Sequence, residues 1–147
     1  MEPCALEKLV RSAFADTPAP EGKITDTYDD EGAADYFQGR GWDGHDAKSL
    51  RAHEAAMCFF TPEAFRYYLP AFMLAELEAP EVADILGEYV VYQFGRPEPI
   101  WESEYSKRLA LFTTTEKRAI LAFIQYMQDK YGCFEEYLEY ASPVLSS

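Results

Sequence analysis

The stretch FFTPEAFRYYLPAFML, residues 59–74, constrains the fold more than any other part of the chain. Nine of its sixteen residues are Phe, Tyr, Leu or Met, and they recur at the spacing of one helical face. Thr61 followed by Pro62 is a typical helix start. Pro70 lies inside the pattern, where a proline removes one backbone hydrogen bond and clashes with the preceding turn, at a cost of about 3 kcal/mol. We therefore predict a core helix that kinks or breaks near Pro70.

Helical periodicity recurs along the rest of the chain, and no segment alternates with the period of two that is typical of a half-buried strand. Helices are predicted at residues 4–15, 29–37, 80–94, 102–111 and 134–141, with one more capped by Asp46 and another between Thr113 and Gly132. Thr113 and Glu116 form a capping-box pattern, and Gly132 is placed to end that helix. The predicted fold is all-α, a compact irregular bundle of six to eight short helices.

The length and composition predict a single helical domain spanning residues 1–147. A chain of 147 residues with 48% hydrophobic residues can bury a core without a disulfide or a metal ion. Cys4, Cys58 and Cys133 are odd in number and far apart, which favours a reducing compartment, and Cys58 in its apolar run is expected to be buried. No secretory signal and no apolar run of 18 residues is present, so we expect a cytoplasmic protein without a membrane span.

The net charge of −13 narrows the classes of partner. Nucleic acid is disfavoured, because a phosphate backbone requires a cationic face, and so is anionic lipid. High acidity suits a basic protein partner, or it serves only solubility.

One pattern resembles a known family. One stretch resembles a bacterial family known only as a domain of unknown function: a Gly-Trp turn, a helix, the segment FTPEAFRYYLPAFML and a later helix that begins with an FT pair and ends in AFI. The resemblance covers residues 40–125 and is most specific at 60–72. It implies small bacterial intracellular proteins and no established activity or catalytic residues.

Metal and catalytic motifs are weak. Asp43, His45, Asp46, His53 and Glu54 lie close in sequence, but the histidines are eight residues apart rather than the four that place two ligands on one helical face. Two surface histidines that happen to lie near acids explain this cluster more commonly than a metal site does. We therefore predict no metal site, no cofactor and no catalytic residue. A ligand pocket near Trp42, His45 and His53 stays open as an alternative.

The acids are unevenly distributed and carry the functional hypothesis. Residues 76–104 contain eight acids and one base, Arg96. On the predicted helix at 80–94, Glu81, Asp84 and Glu88 form one stripe, which Tyr92 extends. Trp101, Glu102 and Glu104 follow.

Two interpretations of this acidic stretch are open. A solvated surface is the commoner explanation of a charge run. Carboxylates with exposed Tyr and Trp also suit an interface for a cationic protein, in which the charges steer encounter and the aromatic residues act as hot spots.

The leading functional hypothesis is an acidic cytoplasmic binding protein that inhibits a basic partner. Its most concrete form is a bacterial immunity protein that neutralises a toxin. The alternatives are an enzyme or small-ligand domain with a pocket between the aromatic helices, and a self-associating scaffold module.

Overall fold

The computed structural model describes residues 1–25 and 32–147, and every regular element in this part of the chain is helical. The α-helices are α1 (Pro3–Phe14), α2 (Ala33–Phe37), α3 (Ala47–Ala52), α4 (Pro62–Glu78), α5 (Pro80–Ala83), α6 (Leu86–Tyr92), α7 (Glu102–Leu111), α8 (Thr114–Tyr131) and α9 (Glu135–Leu145). Two 3-10 helices lie at Ala56–Cys58 and Pro99–Trp101. The predicted all-α class is confirmed. The helix expected at 29–37 falls partly outside the described residues, and its part from Ala33 onward is present.

Helix α4 is the centre of the bundle and packs against α1, α6 and α7. Thr61 caps it by accepting a hydrogen bond from the Ala64 backbone N–H at 3.2 Å, as predicted. The helix continues through Pro70, so the chain does not break there. Ala64, Phe65 and all residues from Tyr68 to Leu77 are buried. Apolar burial on both sides of Pro70 offsets the lost backbone hydrogen bond and holds the two halves in one helix.

Helix α8 forms the second layer and packs against α1 and α9. The predicted capping box is confirmed at its start, where Thr113 and Glu116 exchange side-chain and backbone hydrogen bonds. Gly132 ends the helix with φ 74°, a left-handed conformation that favours glycine.

The predicted helix at 80–94 is wrong in one respect, because the chain forms two short helices instead. Asp84 separates α5 from α6 with φ 53°, outside the helical region. The two helices have different principal neighbours: α5 packs against α3, whereas α6 packs against α4. Val82 of α5 is consequently 48% exposed.

The expected burial of Cys58 is also wrong: Cys58 is exposed, because it ends a 3-10 helix at the surface. Helix α9 continues past Pro143 to Leu145, which is 2% exposed. Among the described residues, we find no helix with both the length and the apolar character needed to cross a membrane.

Candidate functional site

The predicted acidic stripe of Glu81, Asp84, Glu88 and Tyr92 is not formed on one helix. The break at Asp84 separates the first two residues, on and after α5, from the last two, on α6. Asp84 is ion-paired with Arg51 of α3 at 3.0 Å. Glu88 instead accepts a hydrogen bond from the Tyr92 hydroxyl at 3.3 Å. The prediction fails because the stripe required an unbroken helix, and tertiary contacts divide it.

Neighbouring cations partly neutralise the acidic stretch. Glu78 pairs with Arg11 at 3.0 Å, and Glu104 pairs with Lys107 at 3.3 Å. Both pairs are substantially exposed, so each contributes little free energy and leaves its carboxylate open to competition. Glu81, Glu98 and Glu102 are exposed acids of the same stretch.

Glu76, the first acid of the stretch, belongs to the interior. It is 1% exposed, accepts a hydrogen bond from Tyr131 at 2.8 Å and lies 3.5 Å from Lys130. Its other oxygen, Oε1, is buried and has no hydrogen-bond partner among residues 1–25 and 32–147. Burial raises the pKa of Glu76, and the charge of Glu88 adds to this, while Tyr131 and Lys130 act in the opposite direction. Glu76 therefore offers no carboxylate to a partner.

The raised pKa of Glu76 predicts that the ionisation of this residue lowers the stability of the folded protein as the pH rises. The folded protein favours the neutral acid, so the contribution of Glu76 to stability is fully present below its unfolded pKa and is lost as the pH rises through the higher folded value. We expect Glu76→Gln to gain stability relative to wild type as the pH increases from about 4 to about 8. Urea denaturation across this range measures the difference. Glu81→Gln, which removes an exposed carboxyl, controls for net charge, and a pH-independent difference for Glu76→Gln would contradict the assignment.

Three of the predicted binding residues come together in an open groove of about 750 Å³. Tyr92, Trp101 and Glu104 line it from the end of α6, the 3-10 helix at 99–101 and α7. The other residues of the wall and floor are Cys58, Phe59, Phe60, Pro62, Gln93, Gly95, Arg96, Pro97, Tyr105 and Arg108. We call this the aromatic groove. Glu81, Asp84, Glu88 and Glu102 are not among its lining residues, although Glu102 is exposed directly after Trp101.

The rim of the aromatic groove presents large apolar side chains to solvent. Ile100 is 80% exposed and Trp101 60% exposed, within the 3-10 helix that Pro99 begins. Tyr92 on the opposite element is 44% exposed. Side chains of this size usually lie in the core, so their exposure beside a groove is typical of an interaction surface.

Arg108 holds the floor of the aromatic groove in place. Its guanidinium lies 4.3 Å from the centre of the Phe65 ring and donates hydrogen bonds to the Met57 carbonyl at 2.9 Å and the Gln93 side chain at 3.1 Å. Nearby, the Tyr105 hydroxyl donates to the Phe94 carbonyl at 3.2 Å, and burial raises the pKa of Tyr105 to about 12. Arg108 therefore joins α7 to the 3-10 helix at 56–58 and to the end of α6, which makes the groove a preformed feature.

A second cleft, of about 560 Å³, adjoins the aromatic groove. We call it the α9 cleft; it is lined by Gly95, Arg96, Glu136, Tyr137, Glu139, Tyr140 and Pro143. Gly95 and Arg96 line both hollows, so the two adjoin at these residues. The sequence-based search missed the α9 residues, because it treated 134–141 only as a last helical piece. The alternation of Glu and Tyr in FEEYLEY was the available signal.

A separate cleft of about 530 Å³ is lined in part by Tyr36, Arg40 and His45. Of the residues named for the alternative pocket, His45 lines this cleft, whereas Trp42 and His53 are not among its lining residues. Both ring nitrogens of His45 are engaged: Nε2 donates to the Gly41 carbonyl at 2.7 Å, and Nδ1 accepts from the Tyr36 hydroxyl at 2.8 Å. His53 stacks on Tyr36, with 4.6 Å between ring centres. These contacts give both histidines a structural role: His45 holds the 39–46 loop against α2, and His53 packs the end of α3 against α2. Among the described residues, no group of three His, Cys, Asp or Glu side chains is arranged to hold a metal ion.

Comparison with known proteins places the chain in a family whose function is not established. No curated protein and no solved structure matches it. The match to the family extends over residues 4–136, which includes the aromatic groove and the start of the α9 cleft. The chain therefore belongs to the family of unknown function DUF6714.

Proposed function

We propose that this protein is a small acidic binding protein of the cytoplasm that inhibits a basic partner protein through the aromatic groove. The observation that carries the proposal is Trp101, exposed in the lining of a preformed groove, with the exposed Ile100 directly before it in the chain. Aromatic residues in and around pockets are the usual hot spots of protein interfaces.

Charge supports a cationic partner. Glu98, Glu102 and Glu104 are exposed on and beside the same rim, in a chain with a net charge of −13. Among the described residues, one surface ion pair holds Glu104, and a partner cation can replace its Lys107 at little cost. Carboxylates around an apolar centre accelerate association with a basic surface, while the aromatic contacts determine the lifetime of the complex.

Inhibition by occlusion is the mechanism that this surface suits. The groove offers hydrophobic contact, and Glu104 in its lining, with the exposed Glu98 and Glu102 beside it, offers negative charge. In a bacterial cell the most concrete form is an immunity protein that covers the substrate site of a toxin. A toxin that acts on nucleic acid has a positive substrate site, which an acidic protein of this kind complements.

Affinity capture from cells tests the proposal. We expect wild-type protein to retain a basic partner, and Trp101→Ala to lower retention at least tenfold, as the loss of an aromatic hot spot does. Glu104→Lys should weaken binding further as salt is lowered, because repulsion is then less screened. Purified partner, when available, should lose activity on addition of wild type and keep it with Trp101→Ala.

Matched variants outside the groove distinguish a loss of binding at the groove from general effects of a surface substitution. Val82→Ala shortens another exposed apolar residue, and Glu135→Lys reverses an exposed charge at the start of α9. Both should bind like wild type. The proposal fails if no partner is retained, or if retention does not change with Trp101→Ala and Glu104→Lys. Sedimentation that shows self-association lost on Trp101→Ala would overturn it in favour of a scaffold.

A further inference from the structure

We infer that the α9 cleft is a binding site for an arginine side chain of the partner, and that Arg96 of this chain occupies it in the free protein. The inference rests on the proposed function and specifies the chemistry of the partner. It assigns a second point of contact next to the aromatic groove.

Arg96 shows which group the cleft accepts. Its guanidinium lies 4.6 Å from the centre of the Tyr140 ring, a cation–π contact, with Tyr137 also in the lining. A planar guanidinium stacks on an aromatic ring in a way that an ammonium group does not. The cleft thus already holds one arginine head group supplied by the chain itself.

The Arg96 side chain is only weakly bound in the α9 cleft. Arg96 is exposed, and no carboxylate in residues 1–25 and 32–147 lies within ion-pair distance of it. Glu136 and Glu139 nevertheless line the same cleft. An incoming arginine that stacks on Tyr140 and also reaches these carboxylates makes stronger contacts than Arg96 does, so exchange is favourable.

The position of Arg96 connects the two hollows. Because it lines both the α9 cleft and the aromatic groove, its side chain separates them when it is stacked on Tyr140. Displacing it opens a continuous path from Tyr140 to Trp101. A partner segment that carries an arginine can then extend from the α9 cleft into the groove, with Arg96 acting as an internal competitor.

Titration of the protein with blocked peptides tests the inference, and the NMR signals of the Tyr140 ring monitor binding. The probes are Gly-Arg-Gly-Arg-Gly and the same peptide with lysine or citrulline in place of arginine. We expect the arginine peptide to bind most tightly. Arg96→Ala should tighten it about two- to fivefold, because the competing cation–π contact is gone. Tyr140→Leu should abolish the preference for arginine over lysine.

Arg118→Ala is the matched control, since it removes an exposed arginine of α8 and changes the net charge equally. A tightening with Arg118→Ala equal to that with Arg96→Ala would overturn the inference, as would an arginine preference that survives Tyr140→Leu. Absence of peptide binding together with a captured partner that depends on Trp101 would overturn this inference alone. Peptide binding with the expected dependences but no captured partner would support the arginine site and overturn the proposed function.

Discussion

Replacing Glu116 with alanine is expected to lower the free energy of unfolding by about 3–5 kcal/mol, the largest effect of any single substitution proposed for this protein. Glu116 is 1% exposed and accepts hydrogen bonds from Arg66 Nε at 2.9 and 3.2 Å. It also accepts from the Thr113 backbone N–H at 2.8 Å and from the Thr17 hydroxyl. One carboxylate therefore joins α4, the start of α8 and the segment after α1.

The size of the effect follows from the groups that lose their partner in Glu116→Ala. Arg66, whose side chain is 17% exposed, keeps its charge without a partner, and the first turn of α8 loses its capping box. Urea denaturation measures the change. Glu63→Ala is the matched control, because Glu63 is three residues before Arg66 on the same helix but is exposed. We expect it to cost less than about 1 kcal/mol. A loss below 1 kcal/mol for Glu116→Ala would contradict the assignment.

Gly87→Ala is expected to destabilise the protein by about 1–3 kcal/mol, although alanine is the better helix former by about 1 kcal/mol. Gly87 is buried in α6, and a Cβ atom there would lie 2.5 Å from Glu76 Oε1 and 2.8 Å from Glu76 Cγ. Glu76 cannot withdraw easily, because Tyr131 holds its other oxygen in the interior.

A double-mutant cycle tests this cause. In a Glu76→Ala background the obstructing side chain is gone, so Gly87→Ala should become neutral or stabilising. Equal destabilisation in both backgrounds would show that the close approach to Glu76 is not the reason. Thermal or urea unfolding of the four proteins is sufficient.

Local sequence signals predicted most of the helices, since caps and apolar spacing act within one or two turns. Thr61, Asp46 and the Thr113–Glu116 box cap helices as expected, with Asp46 accepting from the Ser49 N–H at 2.7 Å. Gly132 ends α8 as expected. The same local reasoning failed at Asp84, where no proline or glycine marks the break and α5 and α6 follow different neighbours.

The candidate site was only partly predictable for a similar reason. Tyr92, Trp101 and Glu104 were selected as neighbours in sequence, and they do line one groove. Glu81 and Asp84 were selected on the assumption of a continuous helix and lie elsewhere. Tyr137, Glu139 and Tyr140 lie more than thirty residues downstream of Glu104. Only the packing of α9 against α8 positions them near Arg96.

The sequence by itself determined the helical class, most helix ends and the excess of acid, because these depend on residue spacing, capping chemistry and composition. Tertiary structure decided which acids reach solvent and which do not: Glu76 and Glu116 are buried as internal partners of Lys130, Tyr131 and Arg66. It also decided where exposed aromatic residues meet. Both outcomes depend on contacts between residues tens of positions apart, which periodicity along one helix does not encode.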